Sequence, residues 1–196
     1  MDYPELIAEL TDRTGDSGLA MRAKLYLDLA EVEINKLLRV AESEEQETIT
    51  TDANGQVRLP DDFNELRLLT ANGFEGQQIE LIRAISPIYW QLPPNCRWGY
   101  AVKGDTLYTT WPDMDMVLHY YAKVPSLALT GSNWLIESDP EIYIYGVMKQ
   151  AFMAKLDAAK ADVADQVFRQ RIEAKANADY MARFGKKHAI VAGNVI

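Results

Sequence analysis

Apolar positions along this chain of 196 residues change their period twice. From residue 3 to 12 they mark a short amphipathic helix, with Leu6, Ile7 and Leu10 on one side and Gly15 and Gly18 ending it. From Leu19 to Glu42 the residues Ala23, Leu27, Ala30, Ile34, Leu37, Leu38 and Ala41 recur at steps of three and four. That spacing predicts one long helix, with Arg22, Asp28, Glu31, Glu33 and Lys36 on its outside. An acidic run, Glu42 to Glu47, follows and reads as a solvated helix end or loop, because clustered like charges repel. The period then falls to two. Thr48–Thr51 and Val57–Leu59 flank Asn54-Gly55, a pair whose tolerance of positive φ predicts a tight hairpin. Leu66–Thr70, Gln78–Leu81, Tyr100–Val102, Thr106–Tyr108 and Met116–Lys123 read as further strands, and Ile85–Gln91 as a turn or two of helix. These segments predict an antiparallel meander that closes on itself or packs as a small sandwich.

After residue 138 the period is helical again. Asp139 is placed to cap a helix, Pro140 suits the first helical position, and Glu141 favours the positive end of the helix dipole. Ile142 to Phe152 is apolar on nearly every side, so this helix must be covered all round, by its own domain or by neighbouring subunits. It is expected to run to about Ala159, with a charged, alanine-rich turn over Asp157–Asp165. A second helix is predicted from Ala161 to Phe184, with Ala164, Phe168, Ile172, Ala176, Tyr180 and Phe184 along one ridge. Gly185 is expected to end it in the left-handed conformation. The tail from Ala189 to Ile196 is apolar, which marks it as a segment held either by another chain, as an added edge strand, or by its own domain. The expected fold is α+β: a helical bundle, made of the long N-terminal helix and two C-terminal helices, with an inserted antiparallel β-sandwich or barrel-like domain. Its expected parts are 1–45 (N-terminal helices), 46–130 (β domain), 131–184 (helical hairpin) and 185–196 (docking tail).

A single cysteine, Cys96, excludes an internal disulfide, and with only His119 and His188 beside it a structural zinc site is not expected. No cofactor or metal is expected. The opening Met1–Glu5 is acidic and lacks the basic and apolar regions of a secretory signal, and no stretch reaches the ~18 apolar residues of a membrane span. A net charge of −9 repels phosphates and anionic lipids. No basic stripe marks a sequence-reading DNA binder. Catalytic signals are weak: His119 lies mid-strand, Cys96 has no neighbouring base, and carboxylate pairs such as Glu5/Glu9, Asp61/Asp62 and Asp113/Asp115 arise by chance among 29 acidic residues. The aromatics Tyr89, Trp90, Trp98, Tyr100, Tyr108 and Trp111 fit a core or a subunit interface better than a sugar-stacking platform.

Four ordered stretches between residues 29 and 146 carry a resemblance. They are Leu29-Ala-Glu-Val-Glu-Ile-Asn-Lys-Leu-Leu-Arg-Val40; Leu59-Pro-Asp-Asp-Phe63 with the strand through Arg67; Tyr100–Leu107 with Trp111-Pro112, leading to Tyr120–Pro125; and Asn133-Trp-Leu135 through Tyr143–Gly146. Together the chain resembles the phage adaptor, or head-to-tail connector, family. Beyond residue 160 the likeness is helical character alone. The resemblance implies a structural, non-enzymatic virion protein at the phage neck, assembled in the host cytoplasm. It implies a ring of about twelve copies, whose closure needs two different complementary faces per subunit. The implied partners are the portal protein, a nozzle or other tail protein, further copies of the chain, and genomic DNA that passes without being read; no membrane is implied. On this reading Tyr180, Phe184, Lys186, Lys187, Ile190, Val191, Val195 and Ile196 dock on the portal. Trp134, Ile142, Tyr143, Tyr145, Met148 and Phe152 form the subunit interface, and Glu42, Glu44, Glu45 and Glu47 line the channel. The rival readings are a tail-associated cell-wall-degrading enzyme and a carbohydrate-binding virion module using Trp90 or Trp98.

Overall fold

A computed structural model of the chain describes residues 1–72, 78–80, 82–83 and 99–185. It mixes helix and sheet and divides into two compact units: Met1–Ser43 together with the chain from Val124 on, and Glu44–Lys123.

The first unit is helical. Helix α1 (Tyr3–Thr14) opens on a reciprocal cap: Asp2 accepts from the Glu5 N–H and Glu5 from the Asp2 N–H, each at 2.9 Å. Helix α2 runs from Leu19 to Leu37 and stops five residues short of the expected Glu42. Leu38 is extended there, and the Arg39 guanidinium donates to the carbonyls of Asn35 and Leu38 at 2.7 Å. These bonds satisfy acceptors that a further turn of helix would have used. Short helices α3 (Leu127–Thr130) and α4 (Trp134–Ser138) precede α5 (Pro140–Ala154) and α6 (Ala158–Phe184). The cap expected of Asp139 is absent, since its side chain makes no capping bond. Asn133 caps α4 instead, accepting from Leu135 and Ile136 N–H groups at 3.1 and 3.0 Å. The break between α5 and α6 falls at Lys155–Asp157, ahead of the predicted turn, with Leu156 in the left-handed region at φ 58°. Gly185 is not left-handed but right-handed, at φ −60°.

Helix α5 is the middle of this unit. At Gly146 the added Cβ of any other residue would lie 3.2 Å from both Ala30 Cβ on α2 and the Phe168 ring on α6. Glycine therefore sets how closely the three helices pack. Leu6, Leu10, Ala23, Leu27, Ile34, Phe168 and Ile172 complete the core around Ile142, Tyr143 and Val147. Two backbone groups far along the chain are tied to α2. Glu31 accepts from the Leu127 N–H at 2.7 Å, and Asn35 Oδ1 from the Val124 N–H at 2.8 Å.

Among the described residues the second unit holds eight strands in two sheets: β1 (Glu44–Thr50), β2 (Gln56–Arg58), β3 (Phe63–Asn72), β4 (Gln78–Glu80), β5 (Ile82–Arg83), β6 (Gly99–Lys103), β7 (Thr106–Thr109) and β8 (Asp115–Ala122). The sheet orders are β1-β8-β3-β4 and β2-β7-β6-β5, antiparallel except for the β5–β6 pair. This is not the predicted meander, because the first strand pairs with the last, Ile49 opposite Met116. The turn at Asn54-Gly55 forms, but β1 and β2 do not pair across it; each enters a different sheet. Gly55 sits at φ 71° with the Thr109 carbonyl oxygen where a Cβ would stand, at 2.5 Å, so only glycine fits the crossing. The hairpin expected over Lys103–Asp105 is present, with Lys103 opposite Thr106. Side chains of both sheets, among them Ile49, Leu69, Leu107, Met116 and Leu118, meet in one core. The acidic run is neither helix end nor loop from Glu44 on; it is edge strand β1, where a row of carboxylates discourages edge-to-edge pairing. The predicted turns of helix at Ile85–Gln91 lie outside the described residues.

Candidate assembly surfaces

The residues expected to face a neighbouring subunit are largely inside. Ile142 and Tyr143 are fully buried and Phe152 nearly so; Trp134, Tyr145 and Met148 are half-buried against the same helices. The all-round apolar character of α5 is covered by α1, α2, α4 and α6 of its own chain, so Ile142, Tyr143 and Phe152 have no free surface for a partner. The Tyr143 hydroxyl accepts from Asn133 Nδ2 at 2.7 Å, and burial pushes its pKa up. Lys149, the one charge on the covered face of α5, meets Glu33 of α2 at 2.6 Å and Asp165 of α6 at 2.8 Å. Burial alone would lower the Lys149 pKa, but the two carboxylates outweigh it and hold it above its ordinary value.

A contiguous uncovered apolar stripe lies on α2. Met21, Leu25, Leu29 and Val32 are 89%, 58%, 44% and 51% exposed. At 3.6 residues per turn they form one stripe, roughly opposite the core positions Ala23, Ala30 and Ile34. The sequence signal was available: steps of four, four and three from Met21 to Val32 match a helix face as well as the core set does. It was masked by the charges between them, of which Lys24 and Asp28 pair with one another at 2.7 Å.

The ridge predicted on α6 separates into two parts. Ala164, Phe168 and Ile172 are buried, whereas Tyr180 and Phe184 are exposed and pack on one another with ring centres 5.0 Å apart. A four-residue step on a helix advances about 40° around the axis, so a ridge of fours winds out of the core within a few turns.

The match to known families covers almost all of this architecture. Residues 1–189 match the family described as SU10 adaptor protein. The chain belongs to that family of phage adaptor proteins. No curated protein matches it. The adaptor family is a structural one.

Within this adaptor chain the remaining predicted positions sort by environment. Glu42 pairs with Lys175 at 2.8 Å and Glu44 pairs with Arg67, so neither presents a free charge. The contact with Lys175 lowers the Glu42 pKa. Glu45 and Glu47 are exposed. His119 lines a shallow recess of about 190 Å³ with Glu44, Gln46, Arg67 and Tyr120, floored by the Glu44–Arg67 ion pair. Tyr100 is in the β core, and Tyr108 and Trp111 are half-buried. Lys186, Lys187, Ile190, Val191, Val195, Ile196, Tyr89, Trp90, Cys96, Trp98 and His188 lie outside the described residues. Among the described residues no helix is long and apolar enough to cross a membrane, and no three His, Cys, Asp or Glu side chains converge on a metal site.

Proposed function

We propose that this adaptor protein is a structural part of the virion neck: copies of it form a ring beneath the portal, join the portal to a nozzle or other tail protein, and surround the path of the DNA. The observation that carries the reading is the stripe Met21-Leu25-Leu29-Val32, a contiguous apolar face that the folded chain leaves in water. Surfaces of that kind on a folded monomer mark sites of protein association. The family membership supplies the setting. The reading keeps the helical domain, the inserted β domain as a small sandwich, and the tail from 185 to 196 as portal-docking segment. Tyr180 and Phe184 lead into that tail, already exposed. Glu45 and Glu47 are the carboxylates free to face passing phosphates, which they would repel rather than bind.

Negative-stain microscopy of the protein alone and mixed with its cognate portal tests this. Closed rings, coaxial with the portal in the mixture, are expected. A protein that forms no ring in either setting overturns the proposal. Replacing Glu45 and Glu47 by Lys is expected to slow genome release, and unchanged release removes them from the channel wall.

A further inference from the structure

The outer face of α6 repeats every three or four residues without a charge. Val163, Val167, Gln170, Ala174 and Asn177 follow one another at steps of four, three, four and three. The same steps continue to Met181 and Phe184. Nine charged residues lie on α6, and none of them falls on these positions. Strict alternation of threes and fours is the spacing of a helix-packing seam. None of the seven is buried, and Val163 is 62% exposed. The centre of the seam, Gln170 to Asn177, is uncharged, with the small Ala174 between two amides. The stripe on α2 is large and apolar. Big side chains on one helix and a small one on the other allow the close approach, about 8–10 Å between axes, at which helices interlock.

The charges agree. On α2, Lys24 pairs with Asp28, Glu33 pairs with Lys149, and Glu31 receives the Leu127 N–H. The charges without an ion pair among the described residues are Arg22, which interacts with Tyr26, and Lys36, both positive and exposed. On α6, Lys160, Asp165, Arg169, Arg171, Lys175, Asp179 and Arg183 all have ion-pair partners within the chain. Those left over are Asp162 and Glu173, both negative and exposed. Arg22 and Lys36 are about 21 Å apart along their helix, and Asp162 and Glu173 about 16 Å, at ~1.5 Å per residue. The two faces belong to different helices of the same unit, which is the arrangement a closed ring requires and a two-fold dimer does not.

We infer that the stripe Met21-Leu25-Leu29-Val32 of one copy packs on the Val163–Asn177 seam of the next, with Arg22 and Lys36 facing Asp162 and Glu173. The occupant of each face is a second copy of this chain. The inference rests on the ring reading and adds which helices make the contact. The segment from Tyr180 onward stays outside it.

The test uses the full chain with Cys96→Ser, carrying Leu25→Cys and Ala174→Cys together, and each singly. Under mild oxidation the double variant is expected to give a ladder of disulfide-linked multimers, and the single variants none. A disulfide-linked dimer from Leu25→Cys alone would mean α2 packs on α2 in a two-fold dimer, and would overturn the pairing. So would intact rings without a ladder, which would leave the stripe to the portal or another neck protein. A second test is independent of cysteine geometry. Arg22→Glu with Lys36→Glu is expected to abolish rings, and adding Asp162→Lys with Glu173→Lys to the same chain to restore them. Rings unaffected by the first pair, or not recovered with the second, overturn the pairing while leaving the ring reading intact. Wild-type protein that makes no ring alone or with portal overturns the ring reading itself, and this inference with it.

Discussion

Helices α2 and α5 are both richer in apolar residues than one buried face requires, yet they meet opposite fates. Helix α5 carries Ile142, Tyr143, Ile144, Val147 and Ala151 around most of its circumference, and its own chain covers them all. Helix α2 carries a core face and a second apolar stripe, and only the core face is covered. The difference lies in neighbours, not in composition. Helix α5 lies between α2 and α6, close enough at Gly146 for their side chains to touch its backbone. Helix α2 has neighbours on one side only. An excess of apolar residues in a helix shows that something must cover it; the connectivity decides whether that cover is internal.

Mutations should separate the two helices. The largest effect is expected at the cover of α5. Phe168→Ala removes a fully buried ring and should destabilise the fold by about 4 kcal/mol, measured by denaturant unfolding. Lys149→Ala leaves the Glu33 and Asp165 carboxylates facing one another without their cation, and should cost about 2–3 kcal/mol at neutral pH. Contacts with Lys149 and Arg169 outweigh the effect of burial and hold the Asp165 pKa below its ordinary value. Its share of stability is present above the unfolded carboxylate pKa and is lost as the pH falls through the folded one. The gap between Lys149→Ala and wild type should therefore narrow on acidification. A gap that widens would show that the pair is not what holds α5 to its neighbours.

Glu31 has the reverse sign. Burial raises its pKa, against the opposing hydrogen bonds from the Leu127 N–H and Ser126. A raised carboxylate contributes stability that is present below its unfolded pKa and lost as the pH rises through the folded one. Glu31→Gln keeps an acceptor for Leu127 and removes that loss. It should raise Tm modestly at pH 7 and have no effect below about pH 4, near the unperturbed glutamate value. The smallest effect on the monomer is expected on the open face. Leu25→Ser with Val32→Ser should move unfolding by less than about 0.5 kcal/mol, as exposed substitutions do. Its sedimentation should nonetheless show weakened self-association. Comparable destabilisation at Leu25 and Phe168 would erase the contrast between the helices.

Much of the fold was legible because its period is strong. Helices α1, α2, α5 and α6, and the hairpin at Gly104, follow from spacing alone. What was not legible depends on distant partners. The end of α2 turns on Arg39 reaching back to two carbonyls, and the crossing at Gly55 on a carbonyl of Thr109, 54 residues further on. The pairing of Ile49 with Met116 has no local signal. Local rules also pointed to Asp139 as a cap, where Asn133 of the preceding short helix holds that role one element earlier. The expectation of a free apolar face on α5 fails for a related reason. Pattern identifies apolar excess, and α5 showed more of it than α2, but exposure depends on which helices lie alongside.

The tie between α2 and Val124 and Leu127 bears on the order of events at the ribosome. Residues 44–123 are synthesised between two halves of a single helical core, so α1 and α2 emerge long before Phe168 and Ile172 exist to complete it. At ~5–20 residues per second, the wait from Ser43 to Ile172 lasts about 6–26 s. The strands have all their partners by residue 122 and can close first. Nascent chains halted once residue 123 has cleared the ribosome, but before Phe168 and Ile172 have, should thus resist protease across the strands while α1 and α2 are still cut. The hydrogen bonds from Val124 to Asn35 and from Leu127 to Glu31 would be the first clasp that draws the returning chain back to the waiting helix.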